Sequence, residues 1–449
     1  MKTSFRVLLP LVLLLTLPAV VQAQYYFTTN DGTITITGYY GSGTAAIPSA
    51  INGLPVTTIA TYAFSSRVSL TNVTIPDSVT NIGDYAFSSC TSLASATIGT
   101  NVISIGYETF SSCTSLTSVM IPNSVTSIGW GAFYLCISLT SATIGTNVSS
   151  IGDDAFYECT SLTSITIPSS ATNIGREAFE SCYSMANVTI PNGVTSIGQE
   201  AFYGCTSLTS VTIPDSVTNM ANYAFDGCTS LTSVKLGNSV TSIRMGAFYQ
   251  CHSLTSFTIP NSVTSIEMSA FQFCSSLTSI TIGNSVASIE SGAFGECSNM
   301  TSVTIPSRVI SIGSYAFQNC TRLTGVYFKG NAPSIGTSLF DGDNNATVYY
   351  LPGTTGWGPE FQGGRPTAFW FLPNPLILTI GPSFGVKANQ FGFIISWATN
   401  VPVVVEACTD LANHTWSPLK TNALSGGWCY FSDPQWTNYP ARLYRLRSP

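Results

Sequence analysis

Residues 70–90 read Leu70-Thr71-Asn72-Val73-Thr74-Ile75-Pro76-Asp77-Ser78-Val79-Thr80-Asn81-Ile82-Gly83-Asp84-Tyr85-Ala86-Phe87-Ser88-Ser89-Cys90, and this stretch decides the architecture. Leu70, Val73 and Ile75 are inward-facing apolar positions and Thr74 faces water, which is the alternation of a strand. Pro76 ends that strand because it has no N–H for the ladder. Asp77 and Ser78 make a turn. Val79 and Ile82 return side chains to the interior, and Gly83 allows a second bend. The spacing of Ala86, Phe87 and Cys90 predicts a short helical turn that closes the unit.

Moving outward, Phe87 recurs from Phe64 to Phe340 in thirteen copies, always at 23-residue steps. An unbroken period of this kind signals a solenoid. One unit buries almost nothing alone; stacked units set Leu over Leu, Ile over Ile and Phe over Phe. One inserted residue would turn the core positions of its rung outward.

The pattern resembles the BspA-type leucine-rich repeats of bacterial surface proteins. The resemblance rests on Ser207-Leu208-Thr209-Ser210-Val211-Thr212-Ile213-Pro214, on Ser196-Ile197-Gly198, and on Ala201-Phe202 followed by Cys205. It spans roughly residues 57–340. It implies a leucine-rich-repeat solenoid, surface attachment or protein recognition, and no shared catalytic residue.

The ends read differently. Lys2 and Arg6 precede an apolar run, Val7 to Val21, with cleavage expected before Gln24, so residues 1–23 are expected to be a signal peptide. Residues 24–56 keep the alternating Thr33-Ile34-Thr35-Ile36-Thr37 and are expected to cap the solenoid of 57–340. Residues 341–370 are expected to form the C-terminal cap and linker. Residues 371–449 show short apolar stretches between Gly, Asn and Pro turns, which predicts a small all-β sandwich of a size similar to fibronectin type III-like modules.

Eleven of the thirteen cysteines fill one repeat slot, Cys90 to Cys320. Equivalent Cβ atoms on neighbouring rungs should stand about 4.8 Å apart, against roughly 3.8 Å for a disulfide. These cysteines are therefore expected to be buried small hydrophobes. A metal needs converging ligands; the ladder spreads its sulfurs along a line with only His252 nearby, so no metal is expected. Cys408 and Cys429 stand outside the ladder, and a disulfide between them is left open.

Charged residues make up 8% of the chain and the net charge is −6, which excludes a nucleic-acid-binding face. No stretch after the leader is long and apolar enough to span a membrane. The two histidines, His252 and His414, fall in different domains, and there is no nucleophile elbow, P-loop or dinucleotide fingerprint. Asp153, Asp154, Glu177 and Glu200 sit in variable slots and are expected to be solvated. Asp341, Asp343 and Asn345 match the start of a calcium loop, but Ala346 and Pro352 stand where it needs Gly and Glu. Neither an enzyme nor a cofactor is expected.

The chain is expected to be secreted, with or without attachment to the cell surface, and to act as an adhesion or protein-interaction scaffold. Its partner would be an extracellular protein or a glycan. The binding patch is expected at Tyr107, Trp130, Tyr134 and Tyr157, because large aromatics are common anchors. The alternative is a glycan- or polysaccharide-binding accessory protein. It would act through the Ser/Thr strand face around Thr74, Thr97 and Thr143, or through Trp416, Trp428 or Trp436 of the terminal domain.

Overall fold

The computed structural model describes residues 24–362, 364–371, 376–379, 383–397, 402–409, 415–439 and 441–447. The expected leader and His414 lie outside the described residues. The chain divides into two compact units, Met1–Ser239 and Val240–Pro449.

In the first unit, short strands from Gly43–Ala46 to Ser233–Leu236 form a nine-stranded parallel sheet in chain order. Ser118 pairs with Ser141 and Ser141 with Ser164, so the register equals the repeat. Each of these strands stops before the Pro or Gly of its unit, as Leu70–Thr74 does before Pro76. A second parallel sheet of six two-residue strands runs from Ser104–Ile105 to Asn219–Met220. At the start, Tyr25–Asn30 pairs antiparallel with Thr33–Tyr39. The Tyr39 ring stacks on Phe64 at 5.1 Å and covers the first rung.

The expected helical turn is absent: the described residues contain no α-helix, and hydrogen-bonded turns occupy that slot. The reason is visible in the backbone. Two residues before and two after each repeat Phe, the chain adopts positive φ, as at Tyr62 (61°), Ser66 (59°), Tyr85 (57°) and Ser89 (60°). A left-handed residue ends any right-handed helix. The N–H groups alternate instead. Tyr62, Phe64 and Ser66 donate to Asp84, Ala86 and Ser88 of the next rung, while Ala63, Ser65 and Arg67 donate three residues back. Half of the turn's hydrogen bonds therefore hold neighbouring rungs together, which offsets the strain of the left-handed residues.

The phenylalanines are fully buried and stack along the unit, at 5.1 Å for Phe87–Phe110 and 5.2 Å for Phe133–Phe156. The ladder cysteines are buried free thiols. They do more than fill space. Cys90 Sγ lies 3.0 Å from the Phe64 carbonyl oxygen of the preceding rung, and Cys113 and Cys136 repeat the contact at 3.2 Å. Each thiol is a hydrogen-bond donor in a site where water cannot enter. Burial raises these thiols well above their ordinary range, with Cys136 pushed up to about 12, so they stay protonated and keep donating.

The second unit opens with the same rungs. Ser242–Ile243 to Ser334–Ile335 form a five-stranded parallel sheet, and Cys274, Cys297 and Cys320 repeat the thiol contact. Gly325–Phe328, Thr347–Tyr350 and Arg365–Phe369 continue in parallel. Beyond them the pattern becomes antiparallel. Gln390–Ser396 pairs with Leu376–Leu378, Gly385–Lys387 and Trp428–Asp433 in one sheet. Val403–Cys408 lies between Ser417–Asn422 and Leu443–Arg447 in the other. Phe393, Ile395, Val403, Val405, Leu424 and Phe431 form the core of this small β domain. Cys408 and Cys429 are free thiols, placed on strands of different sheets.

Candidate interaction surface

The slots beside the Phe turn point outward, and their residues differ from rung to rung. Parallel rungs repeat at about 4.8 Å, so aromatic rings in one slot are driven face to face. Tyr62 and Tyr85 stack at 4.7 Å, Tyr107 and Trp130 at 4.6 Å, and Tyr134 and Tyr157 at 4.8 Å. Tyr85–Tyr107 at 5.1 Å and Trp130–Tyr134 at 6.4 Å join the pairs. The structure thus brings together Tyr107, Trp130, Tyr134 and Tyr157 and extends the row backward through two tyrosines. Tyr62 and Tyr85 escape a sequence reading because they occupy a neighbouring slot. The row crosses between slots as it descends.

Next along the same flank stand carboxylates. Asp154, Glu177 and Glu200, expected to be solvated, are half-buried. One oxygen from each of Glu177, Glu180 and Glu200 lies within 4.8 Å of the other two. Burial and then the Glu177 charge raise Asp154 to about 6. Burial and then Glu177 and Glu200 raise Glu180 to about 7, and burial with Glu200 does the same for Asp226. Arg176 ion-pairs with Glu177, and among the described residues no ion pair is made by Asp154, Glu180, Glu200 or Asp226. The two features touch electrostatically: burial, then Glu158 and Asp154, raise the Tyr134 phenol.

The strand face is exposed and hydroxyl-rich, with Thr97, Thr143 and Thr166 pointing to water and Met120 interrupting the row at 69% exposure. Other hydroxyls are already in use. Thr117 donates to Ala94 O, Thr140 to Thr117 O, and Ser149 to Thr126 O, each one rung back. In the second unit Arg244 and Glu267 pair at 3.2 Å, and Glu267 also accepts from Ser242 Oγ and the Met245 N–H. Asp341 is exposed while Asp343, in the slot of the ladder cysteines, is buried, so the two do not converge on an ion.

The three candidate tryptophans of the terminal domain, Trp416, Trp428 and Trp436, are engaged. Trp428 packs against Leu351, Leu378 and Ile394. The Arg445 guanidinium lies over Trp416 at 4.5 Å. Trp436 Nε1 donates to the Asn389 carbonyl at 3.0 Å.

A family model for the BspA-type leucine-rich repeat region matches residues 48–163, 149–261, 172–299 and 241–356, together well over half the chain. Among solved structures, a leucine-rich repeat protein from Bacteroides ovatus is 27% identical with a TM-score of 0.58, covering 77% of this chain and 97% of that one. A leucine-rich cell surface protein from Faecalibacterium prausnitzii is 30% identical with a TM-score of 0.39, covering 69% and 94%. The pneumococcal vaccine antigen PcpA is 18% identical with a TM-score of 0.48, covering 73% and 91%. No curated protein matches the chain.

Proposed function

The chain belongs to the BspA-type leucine-rich repeat family, and from that premise we propose that it is a non-catalytic, extracellular or cell-surface adhesion scaffold that holds a protein partner on the Tyr107–Tyr157 flank. We read residues 1–23 as its secretory leader and 24–56 as its N-terminal cap. Residues 57–340 are then the solenoid, 341–370 the C-terminal cap and linker, and 371–449 a fibronectin type III-like module.

The observation that carries this reading is the continuous aromatic row with carboxylates beside it. The ring faces are spent on one another, so ring edges and phenol groups are what a partner meets. That suits a protein surface better than a sugar, which would need open faces. The charge of Glu200 and Asp154, with the part of Glu180 that is ionised near neutral pH, favours a basic partner. The non-catalytic reading is supported by the protonated state of the ladder thiols and by the surface position of His252, whose Nδ1 lies 2.8 Å from Phe273 O.

The test is a binding survey of the purified chain against extracellular proteins, followed by Trp130→Ala on any partner found. Trp130→Ala should raise Kd at least about tenfold, as loss of a central aromatic anchor does. Added salt should weaken binding further. A partner whose affinity ignores both changes would rule out this flank.

A further inference from the structure

We propose that the terminal β domain carries a second, independent binding site, for a sugar acid: a hydroxyl-rich ring bearing one carboxylate. The site is a cavity of about 540 Å³ lined by Gln390, Lys420, Phe431, Ser432, Gln435 and Arg442, among others. Its walls come from both sheets, since Gln390 and Phe431 belong to one and Lys420 to the other. That volume lies within the range of small-ligand pockets.

Arg442 decides the ligand's charge. Its side chain is only 9% exposed, and its Nε has no hydrogen-bond partner. Nη1 stands 2.8 Å from Asp433 Oδ2 in a charge contact. Asp433 cannot take the rest of the guanidinium fork. It already accepts from the Tyr444 hydroxyl at 2.8 Å and from the Gln435 N–H at 2.9 Å. The guanidinium also rests on the Tyr439 ring, 4.4 Å from its centroid, so it is held in place. A buried guanidinium with an unpaired donor lacks an acceptor, and a planar carboxylate has the shape to meet that fork.

Lys420 lines the same cavity and makes no ion pair among the described residues. Together with the Arg442–Asp433 pair it leaves one net positive charge, which matches a monoanion. The Gln390 and Gln435 amides and the Ser432 hydroxyl both donate and accept, as ring hydroxyls require. Leu419, half-buried at the cavity wall, supplies the apolar patch for a sugar's C–H face. Trp416, Trp428 and Trp436 are not among the lining residues.

The experiment is calorimetric titration of the full chain with galacturonate, glucuronate and mannuronate oligosaccharides. Their neutral counterparts of the same linkage, inorganic phosphate and a short peptide with a free C-terminus serve as the other arms. At least one uronate should bind and its neutral counterpart should not. Arg442→Lys keeps a cation beside Asp433 but loses the fork, and should weaken binding about tenfold or more. Lys420→Ala and Gln390→Ala sit at the exposed rim and should each weaken it about threefold, which keeps the test decisive if Arg442→Lys fails to fold. Trp130→Ala should change nothing here. The proposal is overturned if no uronate binds, if neutral sugar, phosphate or peptide binds as well, or if the rim variants leave affinity unchanged.

Discussion

The repeating rungs and the terminal β domain solve the same problem by opposite means. In a rung, the buried thiols find their partners in a neighbouring rung: Cys159 meets Phe133 O, and Cys182 meets Phe156 O. In the terminal domain each partner is used once. Glu406, nearly buried, holds Arg445 at 2.7 Å and Arg447 at 2.9 Å, and Asp433 gathers Tyr444, Gln435 and Arg442. A repeated contact is interchangeable and a singular one is not. Mutations in the rungs should therefore cost similar amounts wherever they are placed, while those in the domain should depend on the residue.

The largest expected effect tests that interchangeability. Phe133→Ala, Phe179→Ala and Phe202→Ala should each cost about 3–5 kcal/mol in chemical denaturation, agreeing to within about 1 kcal/mol. Widely scattered values would break the equivalence of rungs. Next, Asp433→Asn should cost about 3 kcal/mol by stranding the buried Arg442, whereas Asp153→Asn, exposed in a rung, should cost well under about 1 kcal/mol. At the thiol ladder, Cys159→Ala should cost about 1–2 kcal/mol and Cys159→Ser less, because serine keeps a donor for Phe133 O. Equal losses would reduce the cysteines to space-fillers. The smallest mutational effect is a gain. Gln250, exposed with φ of 56°, should stabilise the chain by about 0.5 kcal/mol on replacement by glycine, which carries no penalty there.

Acidification separates the same regions by sign. Asp154, Glu180 and Asp226 hold their protons more tightly in the folded chain than in the unfolded one. Between their ordinary carboxylate range and about 7 the folded state therefore binds more protons, and stability falls as pH rises through that window. Thermal melts of the chain should shift upward from pH 7.5 to pH 5. The shift should shrink in a Glu180→Gln, Asp226→Asn variant. In the terminal domain the Arg445 and Arg447 side chains beside Glu406 lower its carboxyl. That contribution is present at neutral pH and is lost only below the ordinary range.

Legibility in sequence follows the same division. The 23-residue register, the strand before each Pro and the inward Leu, Ile and Phe could all be read directly, because each position is repeated many times. Two things were hidden within the rungs. Helix-like spacing of Ala86, Phe87 and Cys90 said nothing of the left-handed residues on either side, since Tyr62, Glu108 and Leu135 carry no glycine-like signal. The carboxylate cluster was hidden because adjacency across rungs appears only when residues 23 apart are laid side by side. The adjacency of Tyr107 to Trp130 and of Tyr134 to Tyr157 is legible in that comparison, because each pair shares a slot. In the terminal domain almost no contact was legible. The partners Glu406 and Arg447 are separated by 41 residues, and nothing repeats to announce them.

The hydrogen bonds of the rungs also have a direction. Thiols point back to the previous Phe carbonyl, while the N–H groups of the Phe turn wait for carbonyls of the rung still to come. A finished rung is therefore a template: its far side offers donors already spaced for the next 23 residues, and its near side has been sealed by them. A chain laid down from its N-terminus can zip onto itself as each segment emerges, beginning at the Tyr39 lid. Assembly order is written into the stack, and a circular permutant that kept every contact but began midway would have to start without a lid.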